Sequence, residues 1–471
     1  MSNSGTLSIA ASMQQALASH KAGQLAAAEK AYQAVLAIEP AHAGANHNLG
    51  VLLVQSGRFE KGLVHLERAL DANPAEALYY FSLTKGLLAA GQPAEATAVL
   101  QQAGQRGLAD KRFDKLTLEV QEAAVQAYRA ALAQRPDDAS LLDNLGTALL
   151  AQGKVEEAIR FYRRALAIVP DFAEAHYHLG AALSDNGRVA EGFAHYMRRA
   201  ALVYGTGKAP PKDEPDPPHK VKHDLAQRDY LAGGKAAPDA PLVPDMFELA
   251  DGSRVEGPAV NPANATPELV AQWQRANPQM VVMDDFLTPP ALAKLRGYCA
   301  GSTIWRKIYA AGYLGAAPED GFACPLLAQI VEEIQTVFRP ILGGEKFRYL
   351  GAFKYDSENC AGTNTHADNS IINVNFYIAP DEANLDPESG GMEVWDVAAP
   401  DVETMRRLNG NEEAARDFLK RSGAKRTVIP HRANRAVIFK STLFHKTDTF
   451  RFRSDYLFRR INISLLFGKF D

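Results

Sequence analysis

Two runs near the C-terminus alternate over most of their length between apolar and polar positions, the pattern of a strand whose successive side chains point to opposite faces. In Ile371-Ile372-Asn373-Val374-Asn375-Phe376-Tyr377-Ile378, Asn373, Asn375 and Tyr377 share one face and Ile372, Val374, Phe376 and Ile378 the other. In Arg460-Ile461-Asn462-Ile463-Ser464-Leu465-Leu466-Phe467, Arg460, Asn462 and Ser464 fall together, while Arg459, Ile461, Ile463 and Leu465 fall opposite. Each run predicts one face for a core and one for a polar pocket. Asn434 to Phe439 reads as a buried strand, after which Ser441-Thr442-Leu443-Phe444 delivers His445. Met280 to Met283 and the aromatic-rich Phe347 to Tyr355 read as further strands, the latter with Tyr355 aimed either at a pocket or into sheet packing. Helices are expected after Thr288-Pro289-Pro290 and from Pro325, where Leu326, Leu327, Ile330, Val331, Ile334, Val337 and Phe338 line one broad face.

The first half obeys another period. Asn48-Leu49-Gly50 recurs as Asn144-Leu145-Gly146 and His178-Leu179-Gly180, turn glycines follow at Gly23, Gly57, Gly91, Gly153 and Gly187, and Pro40, Pro74, Pro136 and Pro170 close successive units. A spacing of about 34 residues with these marks resembles the tetratricopeptide repeat, two antiparallel helices per unit crossing at small residues such as Ala28, Ala96 and Ala158. The resemblance divides 9–206 into six units, 9–42, 43–76, 77–104, 105–138, 139–172 and 173–206, the third and fourth degenerate because no proline closes the third and Lys111-Arg112-Phe113-Asp114 interrupts the pattern. Stacked helix pairs form an all-α solenoid with a groove suited to an extended peptide or to dimerisation. Asn48, Ser82, Asn144 and His178 occupy one equivalent position and are candidates for a ladder along it, against the plain reading that Asn is common there.

Composition narrows the partners. With 471 residues the chain has room for two or three domains, and its net charge of −4 offers no electrostatic footprint for nucleic acid. Cys299, Cys324 and Cys360 lack Cys-x-x-Cys spacing, which fits a reducing compartment and disfavours a disulfide framework or zinc. The start, Met1-Ser2-Asn3-Ser4-Gly5, has no basic segment leading into an apolar one, and no apolar run reaches membrane-spanning length, so a cytoplasmic location is expected. Prolines crowd 209–218, and 207–265 is read as a linker and connector, leaving 266–471 as the C-terminal domain. His219 and His223 inside that connector stand four apart, but without a third ligand nearby they are weak metal candidates.

Chemistry concentrates at Thr365-His366-Ala367-Asp368 and Phe444-His445. A His and a carboxylate two positions apart plus a distant His form the facial triad that holds Fe(II) and leaves coordination positions open. His-x-Asp alone arises by chance about once in a chain of this length; the alternating strand after Asp368 is what gives it weight. A guanidinium on the pocket face of the last strand can grip a carboxylate, which favours Arg460 with Arg459 as the fallback.

Taken together, HADNSIINVNFYIAPDEANLDPESGG, NRAVIFKSTLFHKTD and RRINISLLFG resemble the Fe(II)/2-oxoglutarate-dependent oxygenases of the prolyl-hydroxylase-like class, and in particular bacterial proteins joining such a domain to tetratricopeptide repeats. The resemblance implies a multidomain chain with an α+β double-stranded β-helix of jelly-roll or cupin type after the solenoid. It implies iron on His366, Asp368 and His445, and 2-oxoglutarate and O2 as cosubstrates with ascorbate as a supporting reductant. The far carboxylate of 2-oxoglutarate falls to Arg460 or, since the interval after His445 is longer than in many prolyl hydroxylases, Arg459. Tyr355, Asn373, Asn375, Tyr377 and Ser464 are the other cosubstrate candidates. Asp368 disfavours halogenation, because related halogenases lack that carboxylate. The implied activity is hydroxylation of a protein or peptide brought by the repeats; the rivals are a tailoring oxygenase for a small or carrier-bound molecule and a non-catalytic scaffold. Gly390-Gly391 is read either as a turn allowing close backbone approach beside the pocket or as a purely structural turn.

Overall fold

The computed structural model describes residues 2–108, 110–207, 214–234, 246–358 and 362–470. Cys360 and the start of the proline run, Ala209 to Lys212, lie outside them. The chain forms two compact units, Met1–Ile168 and Val169–Asp471.

In the first unit helices come in pairs: Ser2–Lys21 with Leu25–Ile38, Ala43–Gln55 with Phe59–Ala72, Ala77–Ala89 with Pro93–Gln105, and Ala139–Ala151 with Val155–Ile168. The turn glycines Gly23, Gly57, Gly91 and Gly153 all sit at φ of 73° to 75°, a left-handed conformation that side chains resist. At the crossings the backbones approach closely: a Cβ on Gly50 would lie 2.7 Å from Leu66, and one on Gly146 2.6 Å from Tyr162. Ala28, Ala96 and Ala158 are fully buried there. The expected fourth pair is absent. Arg112–Gln134 is one unbroken helix of 23 residues, because this stretch has no turn glycine to separate two shorter ones.

The second unit holds ten described strands: β1 Met280–Met283, β2 Lys307–Ile308, β3 Tyr313–Ala316, β4 Phe347–Tyr355, β5 Ile372–Tyr377, β6 Met392–Ala398, β7 Arg426–Ile429, β8 Ala436–Lys440, β9 Leu443–Thr447 and β10 Arg460–Phe467. They form a seven-stranded sheet of order β1-β8-β5-β10-β4-β3-β2 and a three-stranded sheet β7-β6-β9, with every described pairing antiparallel. Alternation sorts the large sheet as the sequence predicts. Val374, Phe376, Ile438, Ile463 and Leu465 join a core with Leu326, Ile330 and Ile334 of helix Pro325–Val337. At one end the opposite face meets the small sheet, Val437 and Phe439 packing with Met392, Val394 and Ile429.

Boundaries differ from the sequence reading. The helix pair Ala173–Asp185 and Val189–Tyr204, expected as the last unit of the solenoid, is built into the second unit. Val189 and Phe193 belong to the sheet-backing core, Arg199 donates to Glu319 O at 2.6 Å, and the Tyr204 hydroxyl donates to Asp320 at 2.7 Å. The connector, open in sequence to either a tether or an ordered segment, is ordered over much of its described length. Helix Pro218–Leu231 starts on the prolines themselves, which suit a first turn, and Gln227 Nε2 donates to Ser302 O at 2.8 Å; further on, Ala259 and Val260 are core residues.

Candidate metal centre

Thr365 to Asp368 is an irregular stretch, and the backbone fixes it from several sides. His366 exchanges both main-chain bonds with His445, at 3.0 and 2.8 Å, and the Asp368 amide donates to Ser441 O at 2.9 Å. Two helices between β6 and β7, Val402–Leu408 and Glu412–Arg421, supply a clamp. The Asn409 side chain accepts from the Ala367 amide at 3.0 Å and donates to its carbonyl at 2.8 Å, and Glu412 accepts from the amide and hydroxyl of Thr365 at 2.7 and 3.1 Å. Sequence reasoning missed both residues; an Asn at the end of one helix and a Glu at the start of the next carry no local mark of such a task.

The donor set converges. Nε2 of His445 lies 3.5 Å and Nε2 of His366 4.0 Å from the Asp368 carboxylate, and the three donors all fall within 4.8 Å of one another. His366 Nδ1 is 2.7 Å from Asn364 O and His445 Nδ1 2.9 Å from Leu443 O. A carbonyl oxygen only accepts, so each Nδ1 carries a proton, and in the neutral ring Nε2 then keeps its lone pair for the centre. Asp368 accepts from Asn373 Nδ2 at 2.8 Å, and Asn373 Oδ1 accepts from the Ser464 hydroxyl at 3.1 Å. Burial raises the Asp368 pKa, but His445, His366 and Asn373 outweigh it and hold the carboxyl at about 2. Burial, and then His445, lower that of His366. At neutral pH the set is therefore one carboxylate with a neutral His366, as a divalent cation requires. Among the described residues this is the one grouping with the spacing of a metal site. His223, by contrast, is a core histidine, its ring against Trp305 at 6.3 Å and Tyr456 at 5.6 Å.

Arg460 lines the same cavity, of about 370 Å³, together with Tyr355, Asn373, Asn375, Tyr377, Asn462 and Ser464. It is 2% exposed. Its Nε donates to Gly390 O at 2.7 Å, one terminal nitrogen to Gly391 O at 2.9 Å, and the other to Asn462 at 2.9 Å. The rings of Tyr355 and Tyr377 lie 4.6 and 5.4 Å from its centre. Gly390, at φ of 84°, turns the chain to present these carbonyls, and a Cβ on Gly391 would sit 1.9 Å from Ile429 O. The reading of this dipeptide as a turn with close approach thus has a physical cause. The Tyr377 hydroxyl is buried with no partner among the described residues; burial pushes it up to about 12, against the pull of Arg460, so it remains an O–H donor.

Arg459 is not at this cavity. One residue earlier, it points to the other side of the sheet and lines a second cavity. The aromatic wall of the first, Tyr309, Tyr313, Tyr349 and Phe353, includes residues the sequence reading did not single out; the rings of Tyr309 and Tyr313 stack at 4.4 Å. In the first unit, Asn48 and Ser82 both contact His47, at 3.1 and 2.8 Å, and Asn144 is exposed, while His178 belongs to the second unit.

Family models match residues 19–85, as a tetratricopeptide repeat, and 146–187, as a TPR repeat. The chain carries tetratricopeptide repeats. No curated protein matches it. Among solved structures, MamA 41-end from Desulfovibrio magneticus RS-1 is 16% identical over 42% of this chain and 97% of its own, with a TM-score of 0.21. The non-heme alpha ketoglutarate dependent carbocyclase SnoK from nogalamycin biosynthesis is 16% identical, covering 45% of this chain and 87% of its own, at 0.34. The epimerase SnoN, described in the same terms, is 15% identical over 44% and 84%, also at 0.34. At these values the likenesses carry no mechanistic weight beside the residues themselves. No described helix is long and apolar enough to cross a membrane.

Proposed function

We propose that this chain is an Fe(II)- and 2-oxoglutarate-dependent oxygenase with a double-stranded β-helix of jelly-roll type, hydroxylating a protein or peptide recruited by its tetratricopeptide repeats. One observation carries the reading: two histidines and a carboxylate converge in a cavity that also holds a buried arginine. His366, Asp368 and His445 would hold the metal, with Nδ1 protons tied to carbonyls and Asp368 steadied by Asn373. A guanidinium has five N–H donors, and the three bonds Arg460 makes to its own chain leave two for the far carboxylate of 2-oxoglutarate. The unpartnered Tyr377 hydroxyl is a further donor to that carboxylate. Bound there, iron and the keto acid supply the chemistry in which one oxygen atom of O2 enters a substrate C–H bond and the other enters succinate, with loss of CO2. The surrounding aromatic rings limit water, and the chain's own bonds fix the donors before any ligand arrives.

The test is a lysate incubated with Fe(II), ascorbate, 2-oxoglutarate and either wild-type or His366→Ala protein, followed by mass spectrometry of peptide and metabolite fractions. The expected result is one extra oxygen on a peptide with wild type alone, and a drop in succinate formation of roughly a thousandfold or more in the variant. A change confined to metabolites makes the substrate a small molecule. Equal succinate from both proteins refutes the metal assignment.

A further inference from the structure

The face of the large sheet turned away from the triad carries a second polar site. Lys354 of β4 sits opposite Ile461 of β10 in register, and with Arg459 and Arg296 it lines a cavity of about 330 Å³ walled by Tyr230, Tyr456 and Phe458. Lys354 is 3% exposed and Arg459 4%. The Lys354 ammonium lies 3.6 Å from the centre of the Tyr456 ring and 5.3 Å from that of Trp305, and it makes no ion pair among the described residues. Arg459 makes none either, and its buried Nε has no hydrogen-bond partner there. Arg296 differs: its Nε donates to Ile378 O, and Glu382 and Asp381 are close enough to favour its charge. Among the described residues Lys354 thus has no acidic partner, and Arg459 has only Asp356 and Glu358, neither in ion-pair contact with it, where burial ordinarily demands close pairing. Burial, and the repulsion of Arg459, push the Lys354 ammonium far down.

We propose that this cavity is a binding site for a small organic monoanion, a carboxylate head on an apolar body, with Lys354 and Arg459 on the head and Tyr456, Tyr230 and Phe458 against the body. The charge count selects a monoanion. Lys354 takes up its charge only against the repulsion of Arg459, Asp356 already favours the charge on Arg459, and a second negative charge would meet Glu382 in the cavity wall. The aromatic walls select a body that is apolar. An arriving carboxylate favours the charged ammonium, so binding draws a proton onto Lys354. The site is separate from the proposed cosubstrate position, since neither Lys354 nor Arg459 lines the cavity of His366, Asp368, His445 and Arg460.

The probes are 3-phenylpropionate and the neutral 3-phenylpropionamide, titrated into the full chain by calorimetry and by the emission of its three tryptophans, one of them Trp305 beside Lys354. The carboxylate is expected to bind roughly tenfold or more tightly than the amide, with a heat that varies with buffer ionisation as proton uptake requires. Arg459→Gln and Lys354→Met are each expected to weaken it by roughly tenfold or more, and Arg460→Gln to leave it unchanged. Matching far-UV spectra and melting certify the variants. If either inner variant fails to fold, the contrast between carboxylate and amide and the Arg460→Gln titration still decide. Equal binding of acid and amide, loss of binding in Arg460→Gln, or no binding of the acid at millimolar concentration overturns the proposal. Because no metal or 2-oxoglutarate is added, the outcome is independent of the oxygenase reading.

Discussion

Arg459 and Arg460 are neighbours in sequence and opposites in circumstance. Arg460 enters a cavity where carbonyls of Gly390 and Gly391 and the Asn462 side chain have been placed to receive it. Arg459 enters one where it makes no ion pair among the described residues and its Nε has no hydrogen-bond partner, with Lys354 beside it and Asp356 the largest influence favouring its charge. Both are buried, so burial alone does not say what an arginine is for. The partners do: a guanidinium held by its own chain is pre-aimed with a known number of donors left over, whereas one without direct hydrogen-bond or ion-pair contacts is only partly compensated.

The contrast can be broken from either side. The largest effect is expected at His431, buried against the Tyr377 and Phe452 rings and held at about 3 by burial and then by Arg460, Arg435 and Arg296. Its unfolded value is near 6.5, so the unfolded chain binds the extra proton; this stability is full above 6.5 and is lost as pH falls towards 3, a loss on the order of 4 kcal/mol. Denaturant unfolding of wild type and His431→Phe between pH 4 and 7 should show a steeper pH dependence in wild type; parallel curves would mean that the histidine is not kept neutral beside Arg460. Next is Gly391→Ala, whose Cβ meets Ile429 O at 1.9 Å. A melting-temperature decrease corresponding to about 2 to 3 kcal/mol is expected, together with a raised KM for 2-oxoglutarate because the carbonyl that aims Arg460 must shift. Arg460→Gln should raise that KM by roughly tenfold to a hundredfold with kcat less affected, while Arg459→Gln moves it less than about twofold. Equal effects would erase the distinction between the two arginines. The smallest is Asn373→Ala, which removes one bond to Asp368 and should weaken Fe(II) binding by about tenfold, read by metal titration.

Much of this was legible in the sequence because a strand's period is two. Once Ile372, Val374 and Phe376 are assigned to a core, Asn373, Asn375 and Tyr377 must face the other way, and they do line the cavity with Arg460, Asn462 and Ser464. The same counting placed Arg459 opposite Arg460 but could not say that Lys354 and Arg296 would meet it, since those contacts join segments far apart in the chain. Asn409 and Glu412 escaped for a related reason: apart from the Thr365 hydroxyl, their partners are main-chain groups of Thr365 and Ala367, which have no sequence signature. The repeat pattern succeeded where glycine marked each turn and failed at Arg112–Gln134, where the spacing of neighbouring units suggested a break that no residue there enforces. The last helix pair matched the repeat in sequence, yet which core it joins is decided by Phe193 and its distant neighbours.

Strand β10 lies between β5 and β4 near the middle of the large sheet, with one of the two arginines at its first residue and the other immediately before it. For anyone redesigning this protein, the strand is a party wall. A substitution that shifts its register or its start by one residue would exchange the two guanidiniums between rooms, taking the anchor from one and leaving an unmatched charge in the other. Alterations to either cavity are therefore best made from the walls that they do not share, Tyr309 and Tyr313 on one side and Tyr230 and Arg296 on the other.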